Sequence, residues 1–218
     1  MGFSYDVNKH LLTRTVRMAD QDKYAQRTHR QQAIVDAAKK IIISKGFENL
    51  TIRAIAQEMS LTDGALYRHF KSKHEIISLL IDDVENSLLT VIEIPARFSG
   101  DPIAKLKKMF FTHLSNAEQR KGMTTIVINE CFTIRDKRIK KKMFKVMAVY
   151  QEILKGVLRE GIKAKKIRKD VDVDAAGIAF FGMVQAAVVF WALSDFSYKL
   201  KNNTLDRMFD QYIRGITQ

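Results

Sequence analysis

Apolar residues recur along most of the chain at intervals of three and four, and no run rich in Val, Thr and Tyr alternates strictly, so the pattern predicts helices rather than a sheet. Ile34, Ala37, Ala38, Ile41 and Ile42 mark a first helix from about Arg27, ended by Gly46 as a C-terminal cap. Thr51 caps a second over 52–59, with Ile52, Ile55, Ala56 and Met59 on one side and Arg53, Gln57 and Glu58 on the other. After a tight turn at Ser60 and Leu61, a third begins near Thr62, buries Leu66, Tyr67 and Phe70, and breaks at Lys71 and Ser72. Ser72 and Glu75 have the spacing of a capping box, and Ile76, Ile77, Leu80, Ile81 and Val84 carry a fourth helix from there to about Ile92.

Pro95 to Gly100 is the one Pro- and Gly-containing break in the middle of the chain, and Asp101-Pro102 restarts a helix with a capping residue and a first-turn proline. Helices are expected at 102–119, 123–132, 136–166, 173–195 and 203–215. In the longest, Ile139, Met143, Met147, Tyr150, Ile153, Leu154, Val157 and Leu158 form an apolar stripe opposite Lys137, Lys140, Lys141, Lys145, Glu152, Lys155 and Arg159. The fold class expected is all-α. Residues 1–26 carry mixed charge with little periodicity and are taken as an N-terminal extension, followed by a small domain over 27–88 and a larger one over 89–218.

Composition agrees: with 218 residues, 46% hydrophobic and 28% charged, the chain can bury a sizeable core. Its net charge of +13 points to a polyanionic partner, either nucleic acid or an anionic membrane surface. The excess is uneven. Residues 27–80 hold nine basic against five acidic side chains, whereas residues 101–170 hold nineteen against seven. The middle excess reads as a solvated helix face, with an anionic ligand or lipid surface as the alternative. One cysteine, Cys131, cannot form an internal disulfide, and the first twenty residues lack an apolar core segment, so a reducing cytoplasm is expected.

Two short helices joined by a tight turn, behind one supporting helix, have the layout of a helix-turn-helix spanning 51–70, whose second helix enters a major groove. The residues themselves are more specific: Gly46-Phe47, then Thr51-Ile52-Arg53-Ala54-Ile55-Ala56, then Gly64-Ala65-Leu66-Tyr67-Arg68-His69-Phe70-Lys71-Ser72-Lys73. This string resembles the signature of the TetR family of transcriptional regulators, in its AcrR-like form, over about the first third of the chain.

The resemblance implies a helix-turn-helix head reading double-stranded DNA, and a helical body that binds a ligand and dimerises. Thr51 would hold a phosphate at a helix N-terminus. Gly64 and Ala65 would let the recognition helix approach the groove, Tyr67, His69 and Lys73 would touch phosphates, and Arg53 and Arg68 would reach backbone or guanine edges. Thr62 joins them as a further contact. Tyr67 could equally be a half-buried packing residue, Lys73 a solvated charge, and His69 with His74 two exposed histidines; metal binding by those histidines is not expected. Two departures stand out. Ser60 occupies a turn position where glycine is common, costing about 1 kcal/mol if its φ is positive. Asp63 sets a carboxylate near the DNA, where it favours the helix N-terminus, accepts from a cytosine amine, or weakens binding.

The stretch 175–193 has one strongly polar residue, Gln185, and is long enough to span a bilayer. Gly177, Gly182, Gln185 and the flanking Asp174 and Asp195 favour instead a helix buried between subunits. By the resemblance, the helices near 173–195 and 203–215 pair with their copies in a homodimer, and twofold symmetry then requires an inverted-repeat operator. Phe110, Phe111, His113, Met123, Met143, Met147, Tyr150, Phe180, Met183, Gln185 and Trp191 are candidates to line a mostly apolar ligand chamber, or are plain core. A small hydrophobic or amphipathic effector suits them, an acyl thioester among the options. There is no phosphate-binding glycine loop, zinc-spaced histidine pair, nucleophile elbow or recognisable partner for Cys131, so neither catalysis nor a cofactor is expected.

Overall fold

The computed structural model describes residues 29–68, 70 and 72–217; the expected extension over 1–26, and His69, lie outside them. Among the described residues there are nine α-helices and no strand. The chain divides into two compact units, one up to Asn86 and one over Ser87–Gln218.

The first unit contains α1 (His29–Lys45), a 3-10 turn (Phe47–Asn49), α2 (Ile52–Glu58), α3 (Asp63–Tyr67) and the start of α4 (Lys73–Ala96). Ile34, Ala38, Ile41, Phe47, Leu50, Ile55, Leu66, Ile76 and Leu80 close a core from all of these elements. Gly46 has φ 87°, the left-handed conformation that lets α1 stop and the chain turn into Phe47. An ion pair between Lys40 and Glu58 ties α1 to α2. At the end of α2 the Ser60 N–H donates to the Gln57 carbonyl (3.1 Å) and the Leu61 N–H to the Ala56 carbonyl (2.8 Å). This bond pair is a Schellman cap, which places Ser60 at φ 54°.

The fourth helix outruns the sequence expectation. It continues past Ile92 and through Pro95 to Ala96, and the Arg97 N–H still donates to the Glu93 carbonyl at 3.1 Å. Proline is tolerated here because it falls in the last turn, where only one ladder bond is lost and no further turns must be propped above it. The break therefore begins at Arg97, and Gly100 (φ 138°) completes it.

In the second unit, the end of α4 is followed by α5 (Pro102–Gln119), α6 (Met123–Thr133), α7 (Lys137–Lys163), α8 (Val173–Leu193) and α9 (Asn203–Ile216). Helices α5, α7 and α8 pack on one another, with α6 and α9 against this trio. Side-chain caps define the starts: Asp136 accepts from the Arg138 N–H (2.8 Å), Asp172 from those of Asp174 and Ala175, and Asn202 from those of Thr204 and Leu205. Val146 is fully buried in α7 while Met147 and Ile153 are only half-buried, so the inward stripe lies slightly off the one the spacing suggests. Gly161 admits the buried Ile167 against α7; a Cβ there would sit 2.8 Å from Ile167 Cγ1. Lys105, only 8% exposed, reaches from α5 to Glu160 on α7 with bonds of 2.7 and 2.8 Å.

Helix α8 has the length and apolar composition to cross a membrane. Ala176, Gly177, Phe180, Val184, Ala187, Val188 and Trp191 are buried within the unit. Its other face, Ala175, Ile178, Ala179, Gly182, Ala186, Val189, Phe190 and Leu193, is exposed and equally apolar, with Phe190 at 67% and Leu193 at 81%.

Candidate nucleic-acid interface and ligand core

The outward residues of α2 and α3 present an unusually complete set of donors. Thr51 Oγ1 accepts from the Ala54 N–H at 3.0 Å and Thr62 Oγ1 from the Ala65 N–H at 3.3 Å. Each cap uses an oxygen lone pair, so each hydroxyl hydrogen stays available to an acceptor outside the chain. Thr51, Arg53, Thr62, Gly64 and Arg68 are exposed and Ala65 is half-buried. Among the described residues no carboxylate engages Arg53 or Arg68.

Tyr67 is 54% exposed, too open for a packing residue. Lys73 is half-buried instead: its ammonium lies 3.5 Å from the Phe47 carbonyl and 5.2 Å from the centre of the Phe47 ring. That posture anchors it where the 3-10 turn meets the start of α4, with part of its hydrogen-bonding capacity committed to the chain. Asp63 occupies the first turn of α3, where a carboxylate complements the helix dipole.

In the second unit the candidate ligand residues fall into two groups. His113 and Tyr150 are buried and share a hydrogen bond of 3.3 Å, with Phe181 5.4 Å from the Tyr150 ring. Burial pushes the His113 imidazole down to about 4 and raises the Tyr150 phenol, so both are neutral. Phe110 joins this side of the core, 6.0 Å from Phe180 and 5.4 Å from Phe209. The second group surrounds the start of α6. Met123 is buried there, Thr125 donates to Gln185 Oε1 at 2.8 Å, and the Trp191 ring lies 4.7 Å from that of Phe196, tilted at 59°. Met143 is buried, and Met147 and Met183 are half-buried. Beside Met123, the buried Thr124 hydroxyl has no hydrogen-bond partner among the described residues. Sequence reasoning passed over Thr124 and Thr125, since isolated threonines in a helix carry no periodic signal. Cys131 is buried, and its thiol is pushed up to about 11, chiefly by desolvation, which favours the protonated form.

Residues 34–80 match the family model described as bacterial regulatory proteins, tetR family, and residues 77–214 match that of the YsiA-like protein C-terminal region. The fatty acid metabolism regulator protein of Bacillus subtilis (strain 168) is 25% identical over 177 residues, covering 80% of this chain and 90% of that protein. The nucleoid occlusion factor SlmA of Vibrio campbellii is 25% identical over 193 residues, 86% of this chain and 94% of that protein. Among solved structures, the transcriptional regulator FadR from Bacillus subtilis in complex with stearoyl-CoA superposes with a TM-score of 0.73 at 25% identity, covering 85% of this chain and 98% of that one.

Proposed function

The chain belongs to the TetR family of bacterial regulatory proteins, and from that premise we propose that it is a dimeric repressor released from a palindromic operator by a long-chain amphipathic ligand. It is a DNA-binding transcriptional regulator and not an enzyme. The observation that carries the reading is the exposed face of α2 and α3, where Thr51, Arg53, Thr62, Tyr67 and Arg68 offer donors to phosphates and base edges and, among the described residues, no carboxylate engages either arginine. The small Gly64 and Ala65 allow that face close approach, and Lys73 adds a cation at the start of α4. On this reading residues 27–88 bind DNA, while 89–218 bind the ligand and dimerise.

The exposed apolar stripe of α8 supports the dimer. A helix buried on one face and apolar on the other exposes more hydrocarbon than a lone subunit tolerates, and an identical stripe related by a twofold axis covers it. Two heads so related read an inverted repeat. Selection from a random duplex library at near-physiological salt is the test: an inverted repeat is expected, and enrichment of no motif refutes the reading.

For the ligand, the aromatic core of Phe110, Phe180 and Phe209 with a neutral His113–Tyr150 pair supports a long apolar chain carrying one polar group. The Bacillus subtilis relative bound to stearoyl-CoA supports a fatty acyl thioester. Helix α4 is common to both units, so a shift of its second half on ligand entry is carried toward the head. Adding acyl-CoA of increasing chain length to the operator complex should release DNA beyond a threshold length; release by none, from C8 to C18, removes this ligand class.

A further inference from the structure

An open cleft of about 450 Å³ lies on the outer side of α5, lined by Lys107, Lys108, Phe111, Thr112, Ser115 and Lys201. We infer that this cleft holds the phosphate-bearing end of an amphipathic ligand whose apolar part passes Phe111 into the aromatic core. The inference rests on the ligand reading above and adds to it a place and a charge requirement.

The lining is a product of helix geometry. Lys107, Phe111 and Ser115 are spaced i, i+4, i+8, and Lys108 and Thr112 i, i+4, so all five project from one side of α5. Lys201, just before α9, closes the opposite wall. No carboxylate lines the cleft. Among the described residues neither Lys107 nor Lys201 has an acidic partner, and neither the Thr112 nor the Ser115 hydroxyl is used by the chain. Lys108 is held over the Phe98 ring, its ammonium 3.5 Å from the centroid.

Several lysines elsewhere are paired with carboxylates: Lys105 with Glu160, Lys155 with Glu152 and Asp174, Lys40 with Glu58. Three cations gathered without a counter-charge repel one another, and a bound anion relieves that repulsion. A single carboxylate would use one of them. A phosphate ester, with more than one charge and several acceptor oxygens, uses the lysines and the two hydroxyls together. The floor decides what else the ligand carries. Half-buried Phe111 meets Phe110 edge-on at 5.2 Å and lies 6.2 Å from Phe209, so it is a cleft-lining ring that also touches the buried cluster. Rotation of this one ring links the cationic cleft to the apolar core.

Titration calorimetry on the full chain tests this with palmitoyl-CoA, CoA, 3′-dephospho-CoA, palmitate and inorganic phosphate, using wild type, K107E/K201E and the milder K107Q/K201Q. Palmitoyl-CoA affinity is expected to fall about tenfold in the charge-reversed variant and less in the glutamine variant, as the loss of two exposed charge contacts implies, and to weaken with salt. Palmitate, whose single carboxylate engages one lysine at most, is expected to lose less affinity than palmitoyl-CoA, and unchanged thermal melts certify the fold. CoA should bind weakly, and 3′-dephospho-CoA more weakly still. Equal palmitoyl-CoA affinity in all three proteins overturns the cleft and leaves the acyl-ligand reading standing. Lysine-dependent binding of CoA or phosphate that palmitoylation does not tighten overturns the route past Phe111. No binding of palmitoyl-CoA to wild type overturns both readings.

Discussion

Replacing Ser60 by glycine should stabilise the helix-turn-helix without touching its DNA-facing residues. Ser60 sits at φ 54° in the Schellman cap that ends α2, and both cap bonds, from the Ser60 and Leu61 N–H groups, are made by backbone. Its side chain is exposed and makes no contact that the substitution would sacrifice among the described residues. Relief of left-handed strain is worth about 1–2 kcal/mol. The extra freedom of glycine in the unfolded chain takes back about 0.4–1 kcal/mol. A net gain of about 0.5–1 kcal/mol remains, which for a chain of this size raises Tm by about 1–4 °C. The reverse perturbation, Ser60→Val, puts a β-branched side chain into the same conformation and should lower Tm below wild type. Thermal melts followed by circular dichroism measure the order Gly above Ser above Val, and operator affinity serves as the control. If glycine fails to exceed serine, or valine equals it, the cap does not carry the strain assigned to it.

Gly161→Ala must displace Ile167, whose Cγ1 would lie 2.8 Å from the new Cβ, and a loss of about 1–3 kcal/mol in denaturant unfolding is expected; an unchanged midpoint would show that Ile167 yields freely. Buried His113 stays neutral to about pH 4 in the fold but takes up a proton near pH 6.5 when unfolded. Its contribution is therefore fully present above pH 6.5 and is lost as pH falls toward 4, a swing of about 3 kcal/mol. His113→Gln should flatten that part of the stability profile, and parallel profiles for the two proteins would refute the assignment. Thr51→Val removes both the α2 cap and the free hydroxyl, so it should weaken operator binding and cost about 1 kcal/mol of stability. Tyr67→Ala should weaken binding alone, as measured by fluorescence anisotropy on the selected operator, and unaltered binding in both variants would remove them from the interface.

Helix positions were legible because apolar spacing and caps are local properties. Gly46, Thr51, Asp136, Asp172 and Asn202 all sit at or beside helix ends where short-range chemistry requires such residues. Ser60 was legible in part: the sequence locates the turn, and only the backbone supplies the sign of φ. Pro95 misleads because a proline signals a break without saying how much of the last turn precedes it. Side-chain partners across helices are what a sequence withholds. Nothing near Lys105 announces that Glu160, fifty-five positions on, will pair with it at the edge of the core, nor that Thr125 will hold Gln185. Lys73 looks like any solvated lysine until Phe47 is seen beneath it. The cleft lysines carry the same ambiguity. Their spacing is that of an ordinary solvated face, and only Lys201, ninety-three positions beyond Lys108, turns that face into a site.

The packing of the second unit bears directly on how a ligand could drive release. Phe110, Tyr150 and Phe180 are fully buried against their neighbours, so a long chain entering there must displace them rather than fill vacant space. Repacking a dense core typically costs a few kcal/mol. Burying a sixteen-carbon chain returns about 0.8 kcal/mol per methylene, on the order of 10 kcal/mol in all, before entropic losses. Release of the operator asks far less, since a coupling of about 1–3 kcal/mol changes DNA affinity about 5- to 150-fold. On the proposed reading only a minor share of the acyl chain's burial energy must reach α4, and short chains are expected to fail because repacking consumes what they supply. A threshold in acyl length, rather than a smooth gradient, is therefore the behaviour a filled core implies.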